Sequence, residues 1–252
     1  ETITASLIVS QAIPVLTNFS VPAKVFGDAS FNLSPPSTNS NGSITYTSSN
    51  TLVATVSGNA ITIVGVGSVT ITATQSSTTN YTSDTITTIF QVNLITTVLT
   101  NFSIPEKAVG SAPFTLDPPT SNSDGNFTYT SSNTAVATIV GSTVTIVGVG
   151  SSTITASQAS ATNFVSATTT TTFQVNKIQT ILTNFEIPIK TFRDASFSIV
   201  PPTTNSDGAF TYTSSDIEVA TIINGSMINI VGAGNATITA VQASTDDYTS
   251  AT

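Results

Sequence analysis

Apolar and hydroxyl-bearing residues alternate along most of the chain, as in ITIVGVGSVTITA at residues 61–73. Successive side chains of a β-strand point to opposite faces, so this period of two predicts strands with Ile and Val facing inward and Thr facing solvent. Threonine is β-branched and suits the exposed face of a pleated sheet. Nothing in the chain resembles an amphipathic helix. We therefore predict an all-β fold.

Two glycines in that stretch, Gly65 and Gly67, raise the question of a phosphate-binding loop. Such a loop needs a helix behind it, because the backbone N–H groups of the helix N-terminus bind the anion. The residues that follow, SVTITATQ, alternate like a strand instead. We interpret the two glycines as a corner at which the chain passes from one sheet to another.

The chain contains three copies of one unit. The motif TNF begins at residues 17, 100 and 183, a spacing of 83 residues. The third copy then becomes one residue longer at a tight turn, where β-hairpins absorb length. The repeats predict a last strand of a preceding repeat, or a donor strand, at 1–12, repeat 1 at 13–93, repeat 2 at 94–176, and repeat 3, lacking its final strand, at 177–252.

Each repeat carries short strand signals separated by turn residues, which is the pattern of a β-sandwich. In repeat 2 the strands are predicted at 97–103, 106–109, 112–117, 126–131, 135–140, 143–148, 152–159 and 167–176. The residues predicted to face the core of repeat 2 are Phe102, Phe114, Leu116, Phe127, Tyr129, Val136, Ile139, Val144, Ile146, Ile154, Ala156 and Phe173.

The chain lacks the residue types on which most catalytic mechanisms depend. The chain has no Cys and no His, and its 5 Lys and Arg against 13 Asp and Glu give a net charge of −8. It therefore lacks the usual general base near neutral pH, a thiol nucleophile and an ordinary zinc site. Sparse positive charge disfavours nucleic-acid binding, and no apolar run reaches the roughly 18–20 residues of a membrane span. We expect no enzyme activity and no catalytic, cofactor-binding or metal-binding residues.

The ordered motifs of each copy resemble a known family. YTSSNTAVATIVGSTVTIVGVGSSTITASQA in repeat 2, with KVFGDASFNL and KTFRDASFSI in the other copies and FQVN downstream, is similar to bacterial immunoglobulin-like repeats of the Big type. Many relatives carry Trp where this chain has Tyr46, Tyr129 and Tyr212. The resemblance implies tandem Ig-like β-sandwiches, which we expect to lie end to end as a rod. It also implies an extracellular place, on adhesin stalks, surface-layer-like proteins or viral and phage appendages.

One lysine and one asparagine recur in every copy. The lysines are Lys24, Lys107 and Lys190, and the asparagines, six residues earlier, are Asn18, Asn101 and Asn184. The pair suggests an intramolecular Lys–Asn isopeptide bond, but that reaction needs a buried carboxylate, and no Asp or Glu recurs in all three copies. The alternative is a lysine on an edge strand, where its charge discourages pairing with another sheet. We favour the edge strand.

Aspartates in turns suggest a second possibility, a weak calcium site. Asp28 and Asp194 lie in GDAS and RDAS turns, Asp124 and Asp207 lie in NSDG turns, and Asp246 is followed by another Asp. Calcium takes about six to eight oxygen ligands, and the chain has no D-x-D-x-D-G stretch. Turn chemistry explains these residues without a metal.

Two functions are consistent with these observations. The first is a non-enzymatic building block of an extracellular fibre, stalk or filament, since FQVN runs straight into the next repeat. The second is an adhesin-type module that binds glycans or proteins through the loops 37–43, 120–126 and 203–209. These loops contain no Trp or Tyr, the residues that usually anchor such interfaces, and this favours the first function.

The two ends of the sequence are complementary. Residues 1–10 align with 84–93, and the last residues stop where the closing strand of repeat 3 is expected to begin. A sandwich without that strand leaves an open edge and an uncovered core. We expect a neighbour to complete repeat 3, either the next repeat of a longer array or strand 1–10 of another subunit.

Overall fold

The fold is all-β, as predicted. The computed structural model describes all 252 residues and contains 25 strands and no helix, so no helix is long and apolar enough to cross a membrane. The strand pattern repeats three times along the chain. Residues 1–11 lie outside every strand and are exposed.

Repeat 1 contains nine strands. They are β1 (Leu16–Thr17), β2 (Lys24–Val25), β3 (Phe31–Asn32), β4 (Ser37–Thr38), β5 (Ile44–Ser48), β6 (Ala54–Ser57), β7 (Ala60–Ile63), β8 (Gly67–Gln75) and β9 (Asp84–Asn93). One sheet has the order β2-β9-β8-β5, a second has the order β3-β7-β6, and β1 pairs with β4. Strand β9 is antiparallel to β8 but parallel to β2, so the closing strand lies between them.

The two larger sheets of repeat 1 pack face to face as a sandwich. Phe90 on β9 and Phe31 on β3 meet edge to face with ring centroids 5.6 Å apart. On β8 every second side chain from Val69 onward is buried, and the residues between them are mostly Thr. The alternation seen in the sequence is therefore the alternation between core and surface. At the end of β9, Phe90 and Val92 are completely buried.

Repeat 2 has the same elements. They are β10 (Leu99–Thr100), β11 (Lys107–Ala108), β12 (Phe114–Thr115), β13 (Thr120–Ser121), β14 (Phe127–Ser131), β15 (Ala137–Val140), β16 (Thr143–Ile146), β17 (Gly150–Gln158) and β18 (Ala167–Asn176). Eight of them coincide with or lie within about two residues of the predicted strands, and β13 was missed. Half of the predicted core residues are buried and half are partly buried; the buried ones are Leu116, Val136, Val144, Ile154, Ala156 and Phe173.

Repeat 3 contains only seven strands. They are β19 (Leu182–Thr183), β20 (Phe197–Ser198), β21 (Thr203–Thr204), β22 (Phe210–Ser214), β23 (Ala220–Ile223), β24 (Met227–Ile230) and β25 (Ile238–Gln242). It has no counterpart of β2 or β9. Strand β25, the counterpart of β8, has five residues where β8 has nine, and it pairs only with β22.

By contacts the chain divides into two compact units. The first comprises 1–98 with 121–126 and 158–167, and the second comprises 99–120 with 127–157 and 168–252. Repeat 1 belongs to the first unit and repeat 3 to the second, whereas repeat 2 contributes to both. The domain boundaries derived from the sequence remain a prediction.

Candidate functional sites

The glycine hinge is a corner between sheets. It joins β7, in the three-stranded sheet, to β8, in the four-stranded sheet, and no helix follows it. Gly67 has a φ of +135°, a backbone conformation that residues other than glycine rarely adopt. A Cβ on Gly65 would lie 2.4 Å from the carbonyl oxygen of Leu52. Both glycines are therefore explained by the path of the backbone, and the interpretation made from the sequence is confirmed.

The recurring asparagines hold a left-handed turn. Asn18 has a φ of 59°, and Asn101 and Asn184 both have a φ of 57°. Asparagine tolerates this conformation better than most residues. The Asn18 Nδ2 donates a hydrogen bond of 3.4 Å to the hydroxyl of Ser37. A backbone requirement therefore accounts for this asparagine in every copy.

The recurring lysines lie over aromatic rings. The Nζ of Lys24 is 5.2 Å from the ring centroid of Phe31, and Lys107 and Lys190 make the same contact with the equivalent Phe. Lys24 and Lys107 lie on β2 and β11, each the edge strand of a four-stranded sheet, as predicted. The lysine and asparagine side chains thus contact different partners, and edge protection with a cation–π contact explains the lysines.

The aspartates of the GDAS and RDAS turns close those turns. The Oδ2 of Asp28 accepts a hydrogen bond of 3.0 Å from the N–H of Val25, and Asp194 accepts one of 2.9 Å from the N–H of Thr191. No group of three or more His, Cys, Asp or Glu side chains is arranged to hold a metal ion. Turn chemistry accounts for these two carboxylates, and calcium binding remains an untested hypothesis.

The three tyrosines that replace tryptophan are packing residues. Tyr46 stacks on Phe19 with ring centroids 5.9 Å apart, and Tyr212 stacks on Phe185 at 6.1 Å. Burial raises the pKa of Tyr46 and of Tyr212 above its ordinary value. The pKa of Tyr129 is raised by burial and, to a lesser degree, by the negative charge of Asp117. The rings face the core of each repeat, so they do not form an exposed platform for a ligand.

A buried glutamine fixes each loop that the sequence analysis proposed as a binding loop. Gln75 is 1% exposed and lies at the end of β8. Its Oε1 accepts a hydrogen bond of 2.6 Å from the hydroxyl of Thr38, and its Nε2 donates to the carbonyl oxygens of Ser40 and Gly42 at 3.0 and 3.1 Å. One side chain thus ties down both halves of the 37–43 loop.

The same arrangement recurs in the other copies. Gln158 and Gln242 are 2% and 1% exposed and make the equivalent three hydrogen bonds to the 120–126 and 203–209 loops. No buried side-chain polar atom lacks a partner. The sequence analysis missed these residues, although a Gln at an inward position after TAT, TAS or TAV was the signal. The loops are therefore pre-formed, which lowers the entropic cost of binding anything.

A polar cavity of about 620 Å³ lies beside one of these loops in repeat 3. It is lined by 204–207 and 245–248, which include Asp207 and Tyr248. All of its lining residues have side chains that can form hydrogen bonds. This cavity is the best candidate for a ligand-binding site among the predicted loops.

An open apolar groove of about 430 Å³ lies in repeat 3, and we call it the repeat 3 groove. It is lined by Ile187, Pro188, Lys190, Thr191, Phe192, Phe197, Val219, Ala220, Ile228, Ile230, Gly232, Ala233, Gly234, Ala236 and Ile238. In repeat 1 the corresponding place is filled by β9, whose Phe90 is completely buried. The repeat 3 groove is thus a core that lacks its closing strand.

The bacterial Ig-like domain (group 2) family matches residues 32–86 and 197–252. These two segments are similar to bacterial Ig-like repeats. The family resemblance inferred from the sequence is therefore confirmed, and repeat 2 shares the same strands without being matched. In repeat 1 the match ends inside β9, which continues to Asn93.

Several solved structures are similar to this chain. Drosophila N-cadherin EC1-3 is 13% identical with a TM-score of 0.37, and the match covers 93% of this chain and 96% of that one. Mouse protocadherin-24 EC1-3 is 12% identical with a TM-score of 0.29 and coverages of 97% and 95%. The S-layer protein rSbsC(31-844) is 18% identical with a TM-score of 0.28, and the match covers 94% of this chain but 39% of that one. Sequence identities and TM-scores this low do not support an inference about function. No curated protein matches the chain.

Proposed function

We propose that these Ig-like repeats are a non-enzymatic structural module of an extracellular fibre, stalk or filament on a cell or virion surface. The observation that carries the proposal is the length of the connections. Strand β9 ends at Asn93, and Ile95 already bridges Phe164 within the next repeat; β18 ends at Asn176, and Ile178 bridges Tyr248. One residue separates consecutive repeats, which leaves almost no slack for independent movement.

The chemistry of the side chains supports a structural role. The recurring Asn, Lys, Asp, Tyr and Gln residues are each explained by a turn, a ring contact or a buried hydrogen bond within one repeat. The chain has no His or Cys, and its charged residues make up 7% of the sequence. An acidic surface with few basic residues also favours solubility and disfavours binding to nucleic acid.

The test is the solution shape of the whole chain together with a search for ligands. We expect small-angle X-ray scattering to give an elongated particle, and glycan arrays and pull-downs to give no saturable binding. A scattering profile of a compact globule would refute the extended stalk.

A second candidate function is an adhesin-type module. The observation in its favour is the pre-formed loop and polar cavity at 204–207 and 245–248 in repeat 3. Specific, saturable binding that is lost in Asp207→Ala but kept in Asp124→Ala, the equivalent change in repeat 2, would favour the adhesin function over the structural one.

A further inference from the structure

We propose that Asn41 is a site of spontaneous covalent modification, at which the side-chain amide is converted to a carboxylate through a cyclic imide. The reaction gives the 37–43 loop of repeat 1 the acidic residue that the same loop of the other two repeats carries in its sequence. The modification is independent of the structural role proposed above.

The chemistry requires a backbone nitrogen that can reach the side chain of the preceding asparagine. The nitrogen of Gly42 gives its proton to solvent and attacks Cγ of Asn41, and ammonia leaves as the five-membered imide closes. Water then adds to one of the two imide carbonyls and opens the ring, so the net change is the loss of ammonia and the gain of water. A side chain on the following residue obstructs the attack, and glycine has none. The chain contains Asn–Gly at Asn41 and at Asn224.

The fold requires the glycine that makes Asn41 reactive. A Cβ on Gly42 would lie 2.1 Å from the carbonyl oxygen of Ser76 and 3.2 Å from Cγ of Gln75. No residue with a side chain fits there unless the backbone of the loop moves. The packing of the loop therefore keeps an unobstructed nitrogen next to Asn41.

The amide of Asn41 is available for the reaction. Asn41 is exposed and lies outside every strand. The hydrogen bonds of the loop are made by its neighbours, since the Nε2 of Gln75 donates to the carbonyl oxygens of Ser40 and Gly42. Asn39 in the same loop is different, because its Oδ1 accepts a hydrogen bond of 2.9 Å from the N–H of Val15. Of these two asparagines, only Asn41 combines an unbonded amide with a following glycine.

The other repeats show that the loop accepts the carboxylate product. Asp124 and Asp207 occupy the position of Asn41, and each is followed by glycine. The carbonyl oxygen of that glycine accepts a hydrogen bond of 2.8 Å from the buried glutamine in both repeats. Aspartate at position 41 is therefore compatible with the closed loop, and it adds one negative charge to a chain whose net charge is −8.

Opening of the ring at the other carbonyl gives a different product. The backbone then runs through the side chain as isoaspartate and is longer by one methylene group. Gly42 lies against the carbonyl of Ser76 and is bonded to Gln75, so a longer connection displaces it from both contacts. We expect the isoaspartate form to lose the hydrogen bond from Gln75 to Gly42, whereas the aspartate form keeps it.

Gln75 controls the rate of the reaction. The ring closes only when the peptide bond between Asn41 and Gly42 rotates toward the side chain, and the hydrogen bonds of Gln75 on both sides of Asn41 oppose this rotation. Loosening the loop therefore speeds the modification. Asn224 is an internal reference, because it lies in the turn between β23 and β24 of repeat 3, with a φ of 49°.

The test is incubation of the full chain for weeks at mildly alkaline pH and body temperature, followed by peptide mapping. We expect the peptide that contains Asn41 to gain about 1 Da, the difference between a hydroxyl and an amino group. Asn41→Gln should stay unmodified at this position, because its longer side chain would have to form a six-membered ring. Gln75→Leu should raise the rate at Asn41 roughly tenfold or more and leave the rate at Asn224 unchanged. Gln242→Leu, the matched change in repeat 3, should leave the rate at Asn41 unchanged.

Three results would overturn the proposal. One is an unaltered Asn41 in the full chain after a synthetic peptide of residues 38–45 has converted completely. A second is an equal rate at Asn41 in Q75L and Q242L, which would show that Gln75 does not control the reaction. The third is a destabilised repeat 1 in Asn41→Asp, since the loop is expected to accept the aspartate product. The shape of the particle and its ligands do not affect these results, so this proposal and the proposed function fail separately.

Discussion

Repeat 1 and repeat 3 are built from nearly the same sequence motifs, and one strand separates their structures. Repeat 1 has eleven buried apolar residues in its core, whereas repeat 3 has four. Ile238 and Ala236 are partly exposed, whereas their counterparts Ile71 and Val69 are 0% and 3% exposed. The comparison shows that β9 does more than bury its own side chains, because β2 and the first half of β8 become strands only where β9 lies between them.

Other features are the same in both repeats. The buried glutamine makes its three hydrogen bonds in repeat 3 as in repeat 1, and the tyrosine stacks on its phenylalanine in both. The loop end of the sandwich is therefore organised without the closing strand. The loop end of a repeat therefore depends on the buried glutamine, whereas the opposite end depends on β9.

The largest expected effect concerns the closing strand itself. We expect Phe90→Ala to destabilise repeat 1 by about 3–5 kcal/mol, because it leaves a cavity in a closed core. Leu7→Ala, at the equivalent position of the segment that has no core, should change the unfolding free energy of a dilute monomer by less than about 0.5 kcal/mol. Urea unfolding followed by NMR signals from each repeat gives both values. A large effect of L7A under these conditions would contradict the comparison.

The second prediction concerns backbone protection. The N–H of Gln242 bonds to the closing segment, so in an antiparallel pair the N–H groups of Ile238 and Ala240 point the same way, toward the missing strand. We expect these two amides to exchange roughly a hundredfold or more faster than those of Ile71 and Ala73. Native-state hydrogen exchange measures this difference. The alternate amides of β25, which face β22, serve as an internal control, and equal protection of both sets would contradict the expectation.

The third prediction tests what the two repeats share. Gln75→Leu removes three hydrogen bonds and leaves two carbonyl oxygens buried, so we expect a loss of about 1–3 kcal/mol. Gln242→Leu should cost repeat 3 a similar amount, since it makes the same bonds. Gln91→Leu is the matched control, because Gln91 donates only to the adjacent carbonyl of Val92 at 3.2 Å. Unfolding monitored repeat by repeat checks all three.

The smallest expected effect is a dependence on alkaline pH. Burial raises the pKa of Tyr46 and Tyr212 in the folded chain above the value near 10 expected for the unfolded chain. Below pH 10 both states are protonated and stability is unaffected. Above it the unfolded state loses its proton first, so stability falls as the pH rises through the folded pKa. We expect Y46F to reduce the fall in stability of repeat 1, and Y212F to reduce that of repeat 3. Thermal melts between pH 9 and 11 measure this fall. A variant whose melting temperature falls with pH as steeply as that of the unaltered chain would refute the prediction.

Features that depend on local pattern could be predicted from the sequence. The alternation of apolar residues and Thr placed the strand at 167–176 correctly, and the pattern after Gly67 identified the hinge as a corner.

Features that depend on distant partners could not be read in the same way. The burial of Gln75 depends on carbonyl oxygens 33 and 35 residues away, and the residue type alone suggests a surface position. Strand β13 consists of Thr120 and Ser121, so it contains no apolar residue that could show the alternation. Lys190 was grouped with Lys24 as an edge-strand residue, but it forms no strand, because strand formation at that place requires a partner from β9 or its equivalent.

The parallel pairing of β2 with β9 bears on how a repeat responds to tension. Lys24 lies near the beginning of repeat 1 and pairs with Val92 near its end. When the two termini of the repeat are pulled apart, parallel strands must slide past one another along their length, so their hydrogen bonds are loaded together rather than opened one after another. Mechanical lifetime is set by the rate of unfolding, and shear across this pair raises the barrier.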